Sequence, residues 1–155
     1  MASAKYEAEV QALIRMAEIA IDAFKKFPHK DWPDKDVKQF IHVYTEEREG
    51  LLNRPLQYRN LKSLCYTRQD MLIYFQEGAG EAVNYFWEQV KLENLGIKRE
   101  NKMAKILKRG RIKDQIEYDF VIDVLVPYQQ EGLITESGVV KINEMIAAFE
   151  KKRTT

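Results

Sequence analysis

The sequence predicts an all-α fold: a compact bundle of five to seven amphipathic helices forming a single globular domain over residues 1–155. Three observations carry that expectation. Apolar residues recur at three- and four-residue spacing along most of the chain, the pattern of helices that each bury one stripe. Seven of the seventeen aromatics (Tyr58, Tyr66, Tyr74, Phe75, Tyr85, Phe86 and Trp87) fall between Leu56 and Leu95, interleaved with Leu61, Leu64, Met71, Leu72, Val83 and Val90. That stretch reads as a central helix pair which the other helices must cover, because each large aromatic takes roughly 150–250 Å² out of water when buried. Finally, 155 residues suit one domain long enough to bury most of what its unfolded form exposes.

Taken in order, Val10, Leu13, Ile14, Ala17, Ile21 and Phe24 define a first helix from Ala4 to Phe27, stopped by Pro28. Phe27 to Asp34 is a loop held by its aromatics. Asp34 is the expected N-cap of a second helix, whose inner face is Val37, Phe40, Ile41 and Tyr44 and which frays over Glu46–Gly50. A third helix is expected after Asn53-Arg-Pro55, with proline in its first turn. An unbroken helix through Gln76 would place Arg68 on the apolar face, so a break is expected at Thr67, with Thr67 capping the N–H of Asp70. Gly78-Ala-Gly80 forms a turn, and Glu81 opens a helix with Val83, Phe86, Trp87 and Val90 inward.

Asn94-Leu-Gly96 closes that helix, and a basic one runs from Lys98 to Arg109 and ends at Gly110. Next, Ile112, Ile116, Phe120, Val124 and Tyr128 repeat every fourth residue. Residues 118–126 are β-branched enough for a strand, but their polar flank Lys113–Glu117 and Pro127 favour a helix. Gly132 terminates it. Thr135 or Ser137 caps the last helix, which buries Val139, Ile142, Ile146 and Phe149.

Composition limits the function classes. The one cysteine, Cys65, excludes an internal disulfide and is expected to be a small buried hydrophobe. No leader pattern opens the chain, and no run approaches the ~18 apolar residues of a membrane span. A soluble, cytoplasmic protein with no membrane partner is therefore expected. Net charge is +1 but uneven: residues 1–53 hold 8 Lys/Arg against 10 Asp/Glu, residues 54–113 hold 13 against 6, and residues 114–155 hold 4 against 8. A basic middle flanked by acidic ends either pairs with itself on the folded surface or presents a face to a polyanion.

No catalytic set is visible. His42 and Glu46 have the i, i+4 spacing of two metal ligands but lack a third, and Asp31, Asp34 and Asp36 read as capping and solvated carboxylates, so no metal and no cofactor are expected. Gln129–Glu136 has the cadence of a calcium loop with the wrong chemistry: Pro127 and Gly138 stand where the first aspartate and last glutamate belong. Glu117, Asp119 and Asp123 are surface carboxylates able to neutralise the basic helix.

Three functional expectations follow. The first is a non-catalytic interaction or regulatory domain with an unknown protein partner reached through charge complementarity. The second is weak nucleic-acid binding by the basic segment 98–113, through Lys98, Lys102, Lys105 and Arg109 on one helical stripe, with Arg99, Lys108, Arg111 and Lys113 beside it. The third is a small-molecule pocket between the aromatic helices, lined by Tyr58, Tyr66, Tyr74 and Tyr85.

Overall fold

The computed structural model describes residues 3–78, 80–130 and 132–153. Among them the chain is an all-α bundle: α1 (Ala4–Lys26), α2 (Asp34–Leu52), a 3-10 turn (Leu56–Tyr58), α3 (Leu61–Glu77), α4 (Glu81–Leu92), α5 (Lys102–Arg109), α6 (Gln115–Gln130) and α7 (Glu136–Arg153). No helix among the described residues is long and apolar enough to cross a membrane. Packing divides the chain into two compact units, residues 1–75 with 80–98 and residues 76–79 with 99–155, each with its own apolar core.

In the first unit, the buried alanines Ala17, Ala20 and Ala23 let α2 and α4 pack closely on α1. Phe24 is the hub of an aromatic cluster, in ring contact with Trp32, Phe40, Tyr44, Tyr74 and Phe75. Phe75 stacks on Phe86 with centroids 3.8 Å apart. The polar ends of these rings find partners on backbone: the Tyr44 hydroxyl donates to the Met71 carbonyl at 2.7 Å, and the Trp87 indole N–H donates to the Phe75 carbonyl at 2.8 Å. Phe75 lies in the last turn of α3, where carbonyls lack helical donors, so Trp87 supplies one of the missing bonds.

The second unit packs Met103 and Ile106 of α5, Val121, Val124 and Tyr128 of α6, and Ile142 and Met145 of α7. Residues 76–78 belong to it. The Tyr128 hydroxyl donates to the Gln76 carbonyl at 3.3 Å, Arg99 donates to the Gly78 carbonyl at 2.7 Å, and Lys102 pairs with Glu77 at 3.7 Å.

Residues 118–126 are helical, with Pro127 inside α6. Asn101 and Thr135 accept the capping N–H groups of Ala104 and Gly138. Ala79, the middle residue of the expected Gly78-Ala-Gly80 turn, lies outside the described residues, as do Met1, Ala2, Glu131, Thr154 and Thr155.

Several local expectations are corrected. Helix α3 runs unbroken through Thr67, because Arg68 has an ionic partner in Glu9 of α1 and needs no break to escape the apolar face. Thr67 donates to the Ser63 carbonyl instead of capping Asp70. Helix α3 begins at Leu61, not directly after Pro55, with the Asn60 side chain accepting the Ser63 N–H. Asp34 is the first helical residue of α2 behind an extended Pro33, and α2 continues intact to Leu52. Cys65 is exposed. The i+4 series on α6 also breaks down: Ile116 is exposed while Val121, Val124 and Tyr128 face the core. Each i+4 step advances about 40° around an α-helix, so a long i+4 series leaves the face it started on.

Candidate interaction surface

The residues expected to act together are largely dispersed. Of the basic stripe, Lys98 precedes α5 and belongs to the first unit, while Lys102, Lys105 and Arg109 lie on α5. Lys102 pairs with Glu77 and sits over the Phe120 ring. Arg109 makes a two-pronged pair with Glu117, at 2.6 and 2.9 Å. That bond holds the Glu117 carboxyl below its ordinary pKa and raises that of Arg109. Two of the four expected phosphate contacts therefore have carboxylate partners. The cations directed outward are Lys105 and Lys108, followed by Arg111 and Lys113 in the connection to α6.

The four tyrosines have different surroundings. Tyr74 is packed among Phe24, Trp32, Phe40 and Phe75, and burial raises the pKa of its hydroxyl. Tyr85 meets the Phe27 ring at a tilt, with centroids 5.6 Å apart, and its hydroxyl donates to Asp22 and accepts from Lys26. The bond from Tyr85, and secondarily Lys26, holds the Asp22 carboxyl below its usual value. Tyr58 and Tyr66 are on the surface, 51% and 59% exposed. A pocket of about 100 Å³ is lined by Arg99, Glu100, Asn101, Tyr128 and Leu133, none of them among the four. It is small beside the ~300–1,000 Å³ of ordinary ligand sites.

His42 and Glu46 meet at 3.0 Å, and among the described residues no three metal-ligating side chains gather. Asp119 and Asp123 are exposed.

What the fold does assemble is an elbow between α2 and α3. Leu52, Leu56, Tyr58 and Leu61 are all exposed within ten residues, Leu56 by 80%. This is ordered backbone, because Arg54 reaches across the bend. Its guanidinium donates to the Ser63 hydroxyl and the Thr67 hydroxyl, both at 2.8 Å, and to the Tyr58 carbonyl at 3.2 Å. Arg59 in turn donates to the Arg54 carbonyl at 2.8 Å. A fork-shaped donor suits this task, since it can hold several acceptors in one geometry.

The outer ridge of α3 continues from the elbow. Lys62, Tyr66, Gln69 and Ile73 follow at i, i+4, i+7 and i+11 opposite the buried Leu64, Met71, Leu72 and Phe75, and all four are exposed. No Asp or Glu occurs from residue 50 to residue 69, whereas Arg54, Arg59, Lys62 and Arg68 do. That carboxylate-free run is the signal by which the sequence could have revealed this surface. The exposure of its apolar residues had no such signal, because their spacing also fits a core.

Comparison with known proteins found no matching family model, no similar curated protein and no similar solved structure.

Proposed function

We propose that this chain is a non-catalytic interaction module, and that the α2–α3 elbow with the outer ridge of α3 docks an acidic segment of another protein that also carries apolar side chains. The observation that carries the reading is the elbow itself, where an arginine fixes a bend that holds Leu56 and Tyr58 in water. Large apolar groups grouped on a surface mark interaction sites more often than chance exposure does. Backbone ordered in advance removes part of the entropy cost of binding. Arg59 and Lys62 lie beside these groups with no carboxylate nearby in sequence, so an acidic partner is favoured in encounter and orientation. A cytoplasmic location fits the reading.

The nucleic-acid alternative on α5 has less support, since Lys102 and Arg109 already hold carboxylates. A tyrosine-and-cation surface at the elbow can however also stack single-stranded bases, and the test separates the two. Fluorescence anisotropy would follow a labelled acidic amphipathic peptide and a labelled oligothymidine, each titrated with the chain at low and high salt. The expected result is peptide binding that weakens with salt and falls about tenfold, equivalent to about 1.4 kcal/mol, in the Leu56→Ser/Tyr58→Ser double variant, whose melting curve stays native because both positions are exposed. Equal binding by the double variant overturns the site. Tighter binding of oligothymidine than of peptide overturns the partner class.

A further inference from the structure

The elbow calls for a surface that is acidic, apolar and able to accept hydrogen bonds, and the chain carries one on α6. Resting on the docking reading above, we propose that the elbow and α3 ridge of one copy bind the outer face of α6 of a second copy.

None of the sixteen residues of α6 is Lys or Arg, and its carboxylates are Glu117, Asp119 and Asp123. Glu117 is held by Arg109. Asp119 and Asp123 are exposed one turn apart, and helical geometry places them on the side opposite Val121, Val124 and Tyr128, together with the exposed Ile122 and Val126. Pro127 adds a further feature. Having no N–H, it leaves the Asp123 carbonyl without its usual i+4 helical donor, on the same outer side.

The two surfaces match in kind. Lys62 and Arg59 answer Asp119 and Asp123; Tyr66, Ile73 and Leu56 answer Ile122 and Val126; and the phenol and ammonium donors of the ridge answer the Asp123 carbonyl. Two different surfaces make a heterologous contact, which builds head-to-tail chains or closes into rings. One helix against one elbow is at the small end of protein interfaces, below ~1,200 Å², the range of transient contacts. Association is therefore weak, concentration-dependent and salt-sensitive.

Sedimentation velocity on the full chain tests this. The expected result is a weight-average mass that rises with concentration at low salt and less steeply at high salt. The variant Lys62→Glu/Tyr66→Glu removes the elbow surface, and Asp119→Lys/Asp123→Lys removes the α6 surface. All four positions are exposed, so circular dichroism should show both variants folded, and each alone should remain monomeric. An equimolar mixture of the two pairs the intact elbow with the intact α6 and the reversed elbow with the reversed α6, and should again gain mass with concentration. The chain carrying all four changes should associate again, with the charges exchanged.

A wild-type chain that stays monomeric at every concentration, association that persists in either double variant, or a mixture that stays monomeric overturns the proposal. The peptide titration separates its failure from that of the docking reading. A monomer that still binds the acidic peptide through Leu56 and Tyr58 removes only the second copy as occupant, and a monomer that does not bind it removes both.

Discussion

Replacing Arg54 by alanine should loosen the elbow without touching either apolar core. The guanidinium makes three bonds of good length, to the Ser63 and Thr67 hydroxyls and to the Tyr58 carbonyl, with a longer one to the Ser63 carbonyl at 3.3 Å. Hydrogen bonds from a charged donor contribute about 1.5–3 kcal/mol each at buried sites. Arg54 is only half buried, and the released hydroxyls can turn to water or, as Thr67 already does, to the helix carbonyl behind them. The whole set is therefore worth about 2 kcal/mol and not a multiple of the buried figure. For a chain of this size that corresponds to a fall of about 4–8 °C in melting temperature. Hydrogen-exchange mass spectrometry should show faster exchange over residues 52–67 and unchanged protection in α1. Arg54→Lys should recover less than half of the loss, because a single ammonium cannot span acceptors on both sides of the bend. Peptide affinity should fall as well, since binding must then order the bend. A loss below about 0.5 kcal/mol, within the range of ordinary surface substitutions, or an elbow that exchanges as slowly as in the wild type, would refute the role given to Arg54.

Phe75 has no solvent exposure and stacks on Phe86, so Phe75→Ala should cost about 3–5 kcal/mol in urea unfolding; a loss under 1 kcal/mol would mean that the aromatic cluster is not the core of its unit. Glu47 has its pKa raised above the ordinary 4.5, first by burial and then by Asp70. Its favourable contribution is thus complete below pH 4.5 and is lost as pH rises through the raised value. Glu47→Gln should accordingly be more stable than the wild type at neutral pH, with the advantage vanishing in acid; a difference that does not vary with pH would contradict the assignment. Gly110 ends α5 at φ +87° with open space where a Cβ would sit, so Gly110→Ala should cost about 1–2 kcal/mol through backbone strain alone, read by thermal melting. An unchanged midpoint would mean that the turn relaxes out of the left-handed region.

The sequence by itself determined that the chain is helical and, for most helices, which side faces inward. Periodic apolar residues at positions such as Leu13, Ala17 and Phe24 in α1, or Val83, Phe86 and Val90 in α4, report which side faces inward whatever lies opposite, because the 3.6-residue repeat is a property of the local chain. Gly110 and Thr135 mark helix ends for the same reason, since a cap acts on backbone groups within four residues, whereas the start of α5 at Lys102 behind Asn101, and not at Lys98, emerged only in the structure. Tertiary structure decided everything that depends on a distant partner. Arg68 remains in an unbroken helix only because Glu9, 59 residues earlier, is beside it. Lys102 and Arg109 drop out of the expected stripe because Glu77 and Glu117 reach them. Tyr74 is packed inside and Tyr66 faces water although both are aromatic and lie eight residues apart on one helix, since Phe24, Trp32 and Phe40 cover the former. The elbow shows the limit most clearly. Leu52, Leu56, Tyr58 and Leu61 have the composition of a core, and they are on the surface because Arg54 turns the chain between α2 and α3, a choice made by hydrogen-bond geometry across the bend and not by hydrophobicity.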